Sequence, residues 1–135
     1  MHSVLFLCTG NSCRSQMAEA IVNARYSNEW RASSAGIKPA GYVHPMAIRA
    51  LEEIGISHAG QSKQISELTS KDFDLVVTVC DSAAEECPVW PGRAGKRIHH
   101  SFMDPAKAEG TDEERMQVFR QVRDEMLNII PKLLN

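Results

Sequence analysis

A cysteine and an arginine separated by five residues stand in Cys8-Thr9-Gly10-Asn11-Ser12-Cys13-Arg14-Ser15. A thiolate is a nucleophile, and a guanidinium fork can grip two oxygens of a tetrahedral oxyanion. The spacing alone is common. Its context decides, because a loop that winds from a strand end onto a helix N-terminus turns its backbone N–H groups inward. Those groups and the positive helix end then cradle an oxyanion. Thr9, Gly10, Asn11, Ser12, Cys13, Arg14 and Ser15 are therefore expected to bind the anion. The same electropositive cradle stabilises a thiolate, so Cys8 is expected to be nucleophilic at neutral pH, in line with the bound anion. By position, Ser15 could donate its hydroxyl to that thiolate and Asn11 could bond across the loop. Cys13 reads as a buried side chain rather than a reagent.

The flanking sequence supplies the elements that such a loop needs. Ser3 to Cys8 is continuously apolar and suits a strand covered on both faces. After the loop, Met17, Ala20, Ile21 and Ala24 recur at helical spacing. Trp30 to Ala35 reads as a second strand ending at Gly36, and a helix from about Pro45 to Ile54 is closed by Gly55. Ser62 to Leu68 is expected to be a short helix, Phe73 to Val79 a buried strand, Asp81 to Glu86 a short helix, and Arg97 to His100 a weak strand. Thr111 and Glu114 form a capping box that opens a helix burying Met116, Phe119, Val122, Met126, Leu127 and Ile130. This alternation implies an α/β fold, a small, mostly parallel four-stranded sheet flanked by helices. Ligands in such sheets bind beyond the carboxyl ends of the strands, where both Cys8 and Cys80 fall.

Composition narrows the classes of function. The chain has 135 residues, 43% hydrophobic and 24% charged, with Gly 8 and Pro 6, which fits one globular domain over residues 1–135. A net charge of −2 gives no broad basic field, so neither nucleic acid nor a membrane surface is an expected partner. Its apolar runs are far shorter than the roughly 20 residues that span a bilayer, and the N-terminus lacks the marks of an export signal. A cytoplasmic, reducing compartment is expected, which would keep the four cysteines as thiols available for chemistry. Neither a metal nor an organic cofactor is expected. Cys8 and Cys13 are 5 positions apart and Cys80 and Cys87 are 7 apart, unlike the close-set ligand pairs of zinc sites.

The segment VLFLCTGNSCRSQMAEA resembles the phosphate loop of the low-molecular-weight protein tyrosine phosphatase superfamily. Its CTGNSCRSQMAE form is most similar to the thioredoxin-coupled arsenate reductases built on that fold. The likeness continues through SAGI at 34–37, DLVVTVC at 74–80, Cys87-Pro88, Asp104-Pro105-Ala106 and FRQVRDE at 119–125, covering nearly the whole chain. Asp104 fits the general acid that protonates a leaving group. The phosphatases usually carry an aromatic residue after the corresponding Asp-Pro, whereas Ala106 stands here, which argues against a specialist for aryl phosphates.

A phosphatase has no use for Cys80 and Cys87, but reducing an oxyanion takes two electrons from thiols in succession. The resemblance implies that Cys8 attacks arsenate, Cys80 then attacks the Cys8 sulfur to release arsenite, and Cys87 attacks Cys80. The final Cys80–Cys87 disulfide would be reduced by thioredoxin, with phosphate or sulfate as competing anions. In a helix the two Cα atoms would be roughly 10 Å apart, beyond the roughly 7 Å that a disulfide tolerates, so the segment from Cys80 to Pro91 is expected to unwind. The alternative is a phosphatase acting through a Cys8 phosphocysteine. A phosphocarrier domain would leave Cys80, Cys87 and Asp104 together unexplained. His44, Trp30 and Trp90 read as packing or surface residues, and of His99 and His100, adjacent on a strand, one is expected to face solvent.

Overall fold

In a computed structural model of the chain, residues 1–81 and 89–135 are described. Four parallel strands lie in the order β2-β1-β3-β4, with β1 at His2–Cys8, β2 at Trp30–Gly36, β3 at Asp72–Thr78 and β4 at Arg93–His99. The most apolar strands, β1 and β3, take the centre, where burial on both faces rewards continuous apolar sequence. β4, RAGKRIH, begins earlier than the sequence suggests, because an edge strand can carry charges and shows no apolar period. Register sets the site: Cys8 pairs with Gly36 across β1 and β2, and Leu7 pairs with Thr78 across β1 and β3.

Three α-helices, α1 (Arg14–Arg25), α2 (Pro45–Glu52) and α3 (Asp112–Leu133), share one core cluster with the strand residues Val4, Phe6, Leu75 and Val77. Phe119, Met17, Ile21, Leu51 and Met126 are fully buried within it. The opposite face holds a smaller cluster of Leu5, Leu7, Leu68, Phe73, Val76 and Trp90, with Trp90 edge-on to Phe73 at 5.5 Å. α3 opens with the expected box, since Glu114 N–H donates to Thr111 Oγ1 at 3.1 Å and Thr111 N–H donates to Glu114 Oε1 at 3.2 Å. α2 ends before Ile54, and Gly55 at φ +80 supplies the left-handed residue that closes it. The helix expected over 62–68 is reduced to a 3-10 turn at Ile65–Glu67. His99 is exposed and His100 half-buried against Phe102. The helix expected over 81–86, the unwinding expected around it and the thiol of Cys87 fall on residues 82–88, outside the described residues.

Candidate active site

Cys8 ends β1 and is 2% exposed, and Ser15, in the first turn of α1, brings its Oγ to 2.8 Å from Cys8 Sγ. The polarity of that contact follows from its neighbours. Lys63 N–H can only donate, so the Asn11 atom it meets at 2.9 Å is Oδ1, and Asn11 Nδ2 therefore donates to Ser15 Oγ at 2.8 Å. The Ser15 hydroxyl proton is then free to point at Cys8 Sγ, which also accepts the Asn11 backbone N–H at 3.2 Å. Asn11 can face the thiol because it sits at φ +47, a left-handed conformation that asparagine tolerates better than most side chains. These donors and the N-terminal end of α1 all converge on the Cys8 sulfur.

Arg14, 3% exposed, is the first residue of α1. Its Nη1 donates to Phe102 O at 3.4 Å, and its Nη2 lies 3.6 Å from Asp104 Oδ2. Asp104 is fixed in turn because its Oδ1 accepts Ala106 N–H at 3.0 Å at the start of the 3-10 turn Pro105–Lys107. The thiol, the guanidinium and the carboxylate thus line one cavity of about 210 Å³, together with Gly10, Ala40, Tyr42 and Ala106. A cavity of that size suits a small oxyanion better than a bulky ester, since sites for larger ligands run to roughly 300–1,000 Å³. A wider depression of about 620 Å³ lies at the opposite end of the sheet, among His2, Trp30 and Leu133, away from these groups.

Cys13 also borders the cavity, but burial and then the charge of Asp104 push its thiol up to about 12. It is held as the unreactive SH form. His44 does more than the packing expected of it. It stacks on Phe119 at 4.8 Å, its Nδ1 accepts Met46 N–H at 3.1 Å as the N-cap of α2, and its backbone N–H donates to Ser12 O at 3.1 Å. The cap requires an unprotonated Nδ1, and burial together with Arg115 lowers the His44 pKa against the opposing pull of Asp104. Cys80 lies just beyond β3, fully buried in the same cluster as Cys8, and Ser101 Oγ donates to its carbonyl at 3.0 Å. Adjacent strands therefore carry both cysteines toward one end of the sheet.

Sequence reasoning missed the supports behind the loop. Gln16 is fully buried and its Nε2 donates to Asn11 Oδ1 at 3.0 Å and to Gln61 O at 2.8 Å, with Asn11 O at 3.3 Å. Gly36 lies so close that a Cβ there would sit 2.5 Å from Thr9 O and 2.9 Å from Cys8 O. Glycine as the third residue of SAGI is the available signal for that approach.

Residues 3–135 match the family described as low molecular weight phosphotyrosine protein phosphatase. The chain is similar to an arsenate reductase of Halalkalibacterium halodurans, 52% identical over 124 residues that cover 91% of this chain and 88% of the relative. It is likewise similar to an arsenate reductase of Bacillus subtilis, 46% identical over 127 residues covering 93% of this chain and 89% of the relative. Among solved structures, an arsenate reductase in the phosphate binding state superposes with a TM-score of 0.72 at 31% identity, covering 98% of this chain and 99% of that one. The low molecular weight protein tyrosine phosphatase from T. tengcongensis superposes with a TM-score of 0.76 at 27% identity, covering 99% and 98%.

Proposed function

The chain belongs to the low molecular weight phosphotyrosine protein phosphatase family, and from that premise we propose that it is an arsenate reductase working through a relay of Cys8, Cys80 and Cys87. One observation carries the reading beyond its relatives' names: a second buried cysteine, Cys80, follows just beyond the strand next to the one that ends in Cys8. Ester hydrolysis needs no such thiol; two-electron reduction of an oxyanion does.

In the proposed sequence, arsenate sits on the 9–15 loop with Arg14 gripping two oxygens. Cys8 thiolate attacks arsenic, and an arsenate hydroxyl leaves as water with a proton from Asp104, giving a Cys8 thiol-arsenate adduct. Cys80 thiolate then attacks the Cys8 sulfur. The sulfur–arsenic bond breaks, its electron pair stays on arsenic, and arsenite departs as a Cys8–Cys80 disulfide forms. Cys87 attacks Cys80 and frees Cys8, leaving a Cys80–Cys87 disulfide for the dithiol of thioredoxin. The net change is arsenate plus two thiols to arsenite, one disulfide and water. A cytoplasmic setting suits an enzyme that must be re-reduced each cycle, and no helix among the described residues is long and apolar enough to cross a membrane.

Cys8, Arg14 and Asp104 would also support slow hydrolysis of phosphate monoesters through a Cys8 phosphocysteine. The test is arsenate-dependent NADPH oxidation with thioredoxin and thioredoxin reductase, run on wild type and Cys80→Ser beside an aryl phosphate assay. Turnover lost in the variant while hydrolysis survives supports the relay. Brisk hydrolysis in both with no NADPH consumed would make the protein a phosphatase.

A further inference from the structure

The chain entering Cys80 is laced to its neighbours on both sides. Val79 N–H donates to Leu7 O on β1 at 2.9 Å, and Val79 O accepts Phe102 N–H at 3.1 Å. Cys80 itself is held by a side chain, its carbonyl accepting the Ser101 hydroxyl at 3.0 Å. That bond fixes the polarity of the next one. The hydroxyl has a single proton, committed to a carbonyl that can only accept, so His99 Nε2, 3.3 Å from Ser101 Oγ, is an N–H donating to that oxygen. His99 Nδ1 lies 2.7 Å from Thr78 Oγ1, a hydroxyl able to donate to a bare nitrogen or accept from an N–H. The donor toward Ser101 is therefore the same whether or not the ring carries a second proton. Thr78 and His99 are register partners across β3 and β4, so the sheet itself aims the imidazole.

The residues after Ser101 lead straight to the anion site. Phe102 O accepts Arg14 Nη1 at 3.4 Å, and Asp104 Oδ2 lies 3.6 Å from Arg14 Nη2. Residues 101–104 thus hold Cys80 at one end and the guanidinium at the other. Cys80 is disulfide-bonded in this structure and is still fully buried with its carbonyl on Ser101, so the oxidised form keeps the tie. We infer that Ser101, oriented by His99, is a positioning residue for Cys80, fixing the second cysteine relative to Arg14 and Cys8. Its attack on the Cys8 sulfur forms the S–S bond as the sulfur–arsenic bond breaks and the electron pair stays on arsenic. Such a displacement needs an in-line approach, and a small misplacement of the attacking sulfur is costly.

The inference rests on the proposed relay, and its test isolates the step that Cys80 performs. In a Cys87→Ser background the relay stops at the Cys8–Cys80 disulfide, so reduced protein mixed with arsenate gives one burst of arsenite whose rate is that step. Adding Ser101→Ala is expected to slow the burst about threefold to tenfold, and Ser101→Thr, which keeps the hydroxyl, to restore it. His99→Leu should slow it in the same direction, and combining it with Ser101→Ala should add little, since the imidazole acts through the serine. Hydrolysis of an aryl phosphate, which does not use Cys80, should stay within about twofold of wild type in every one of these variants. In wild-type protein at pH 8, ¹⁵N chemical shifts of His99 should show hydrogen on Nε2, a reading that needs no variant to fold. An unchanged burst in folded Ser101→Ala, an equal loss of burst and hydrolysis, or a bare Nε2 in wild type would overturn the inference. Arsenite released at the wild-type rate by Cys80→Ser would instead overturn the relay, and this role of Ser101 with it.

Discussion

Ser15 Oγ stands 2.8 Å from Cys8 Sγ and is already the acceptor for Asn11 Nδ2. The serine is thus oriented as a donor toward sulfur, and a hydrogen bond to a charged partner is worth roughly 1.5–3 kcal/mol. Ser15→Ala is accordingly expected to reduce the arsenate-dependent rate about tenfold to hundredfold while leaving the fold intact. Steady-state rates beside circular dichroism check this, and an unchanged rate would show that the hydroxyl does not support the thiolate.

Cys13 gives a prediction of opposite sign for a cysteine in the same loop. With its thiol pushed up to about 12 by burial and Asp104, it should remain protonated and unmodified by iodoacetamide at pH 8, while Cys8 reacts. Peptide mapping after partial alkylation separates the two. Equal labelling of both would mean that Cys13 is neither as buried nor as passive as the structure places it.

Gly36 tests the register that holds the loop. A methyl group there would meet Thr9 O at 2.5 Å, Cys8 O at 2.9 Å and Asn11 N at 3.1 Å, all backbone atoms that cannot swing aside. Gly36→Ala should displace the segment carrying Cys8 and lower activity by about a hundredfold or more, since small misplacements of reacting groups are costly. Near-native activity with a native melting temperature would contradict the close approach.

Stability at acid pH should expose the ion-pair cluster between α3 and the end of α2. Arg120 Nη2 lies 2.8 Å from Glu53 Oε2, and Arg123 Nη1 lies 2.8 Å from Glu53 Oε1. The hydrogen bond from Arg120, ahead of the one from Arg123, holds the Glu53 carboxyl down to about 2 from its ordinary 4.5. A depressed carboxyl stabilises the fold above its unfolded value and loses that contribution as pH falls from about 4.5 through about 2. Glu53→Gln should therefore melt below wild type at neutral pH, with the gap closing across that window and shrinking in high salt. A gap independent of pH would assign the effect to packing instead of charge.

The sequence made the centre of the sheet and its nucleophile loop legible because both are local. Ser3 to Cys8 and Phe73 to Val79 are short apolar runs bounded by turns, and the Cys8–Ser15 loop sits between a strand and a helix with all its anion-facing groups contiguous. β4 was legible only at its end, since Arg93 to Lys96 lie at the sheet edge, where no apolar period is required. The supports behind the loop were hidden for a different reason. Gln16 meets Gln61 and His58 across more than forty residues, and the pairing of buried polar groups is a property of the folded neighbourhood. His44, too, reads as a packing residue until its imidazole is seen to cap α2 beside the cavity. Cys80 is disulfide-bonded, whereas Cys8 and Cys13 are free thiols; Cys87, the partner that the sequence suggests, lies outside the described residues.

The central claim is that electrons for arsenate come from the protein's own cysteines, and a single turnover tests it most directly. Fully reduced protein is mixed with arsenate in the absence of any reductant, arsenite is quantified, remaining thiols are counted, and disulfides are located by mass spectrometry. The account predicts about one arsenite per chain, a loss of about two thiols, and a Cys80–Cys87 disulfide, with Cys8 returned to the thiol form. No arsenite and an undiminished thiol count would contradict it.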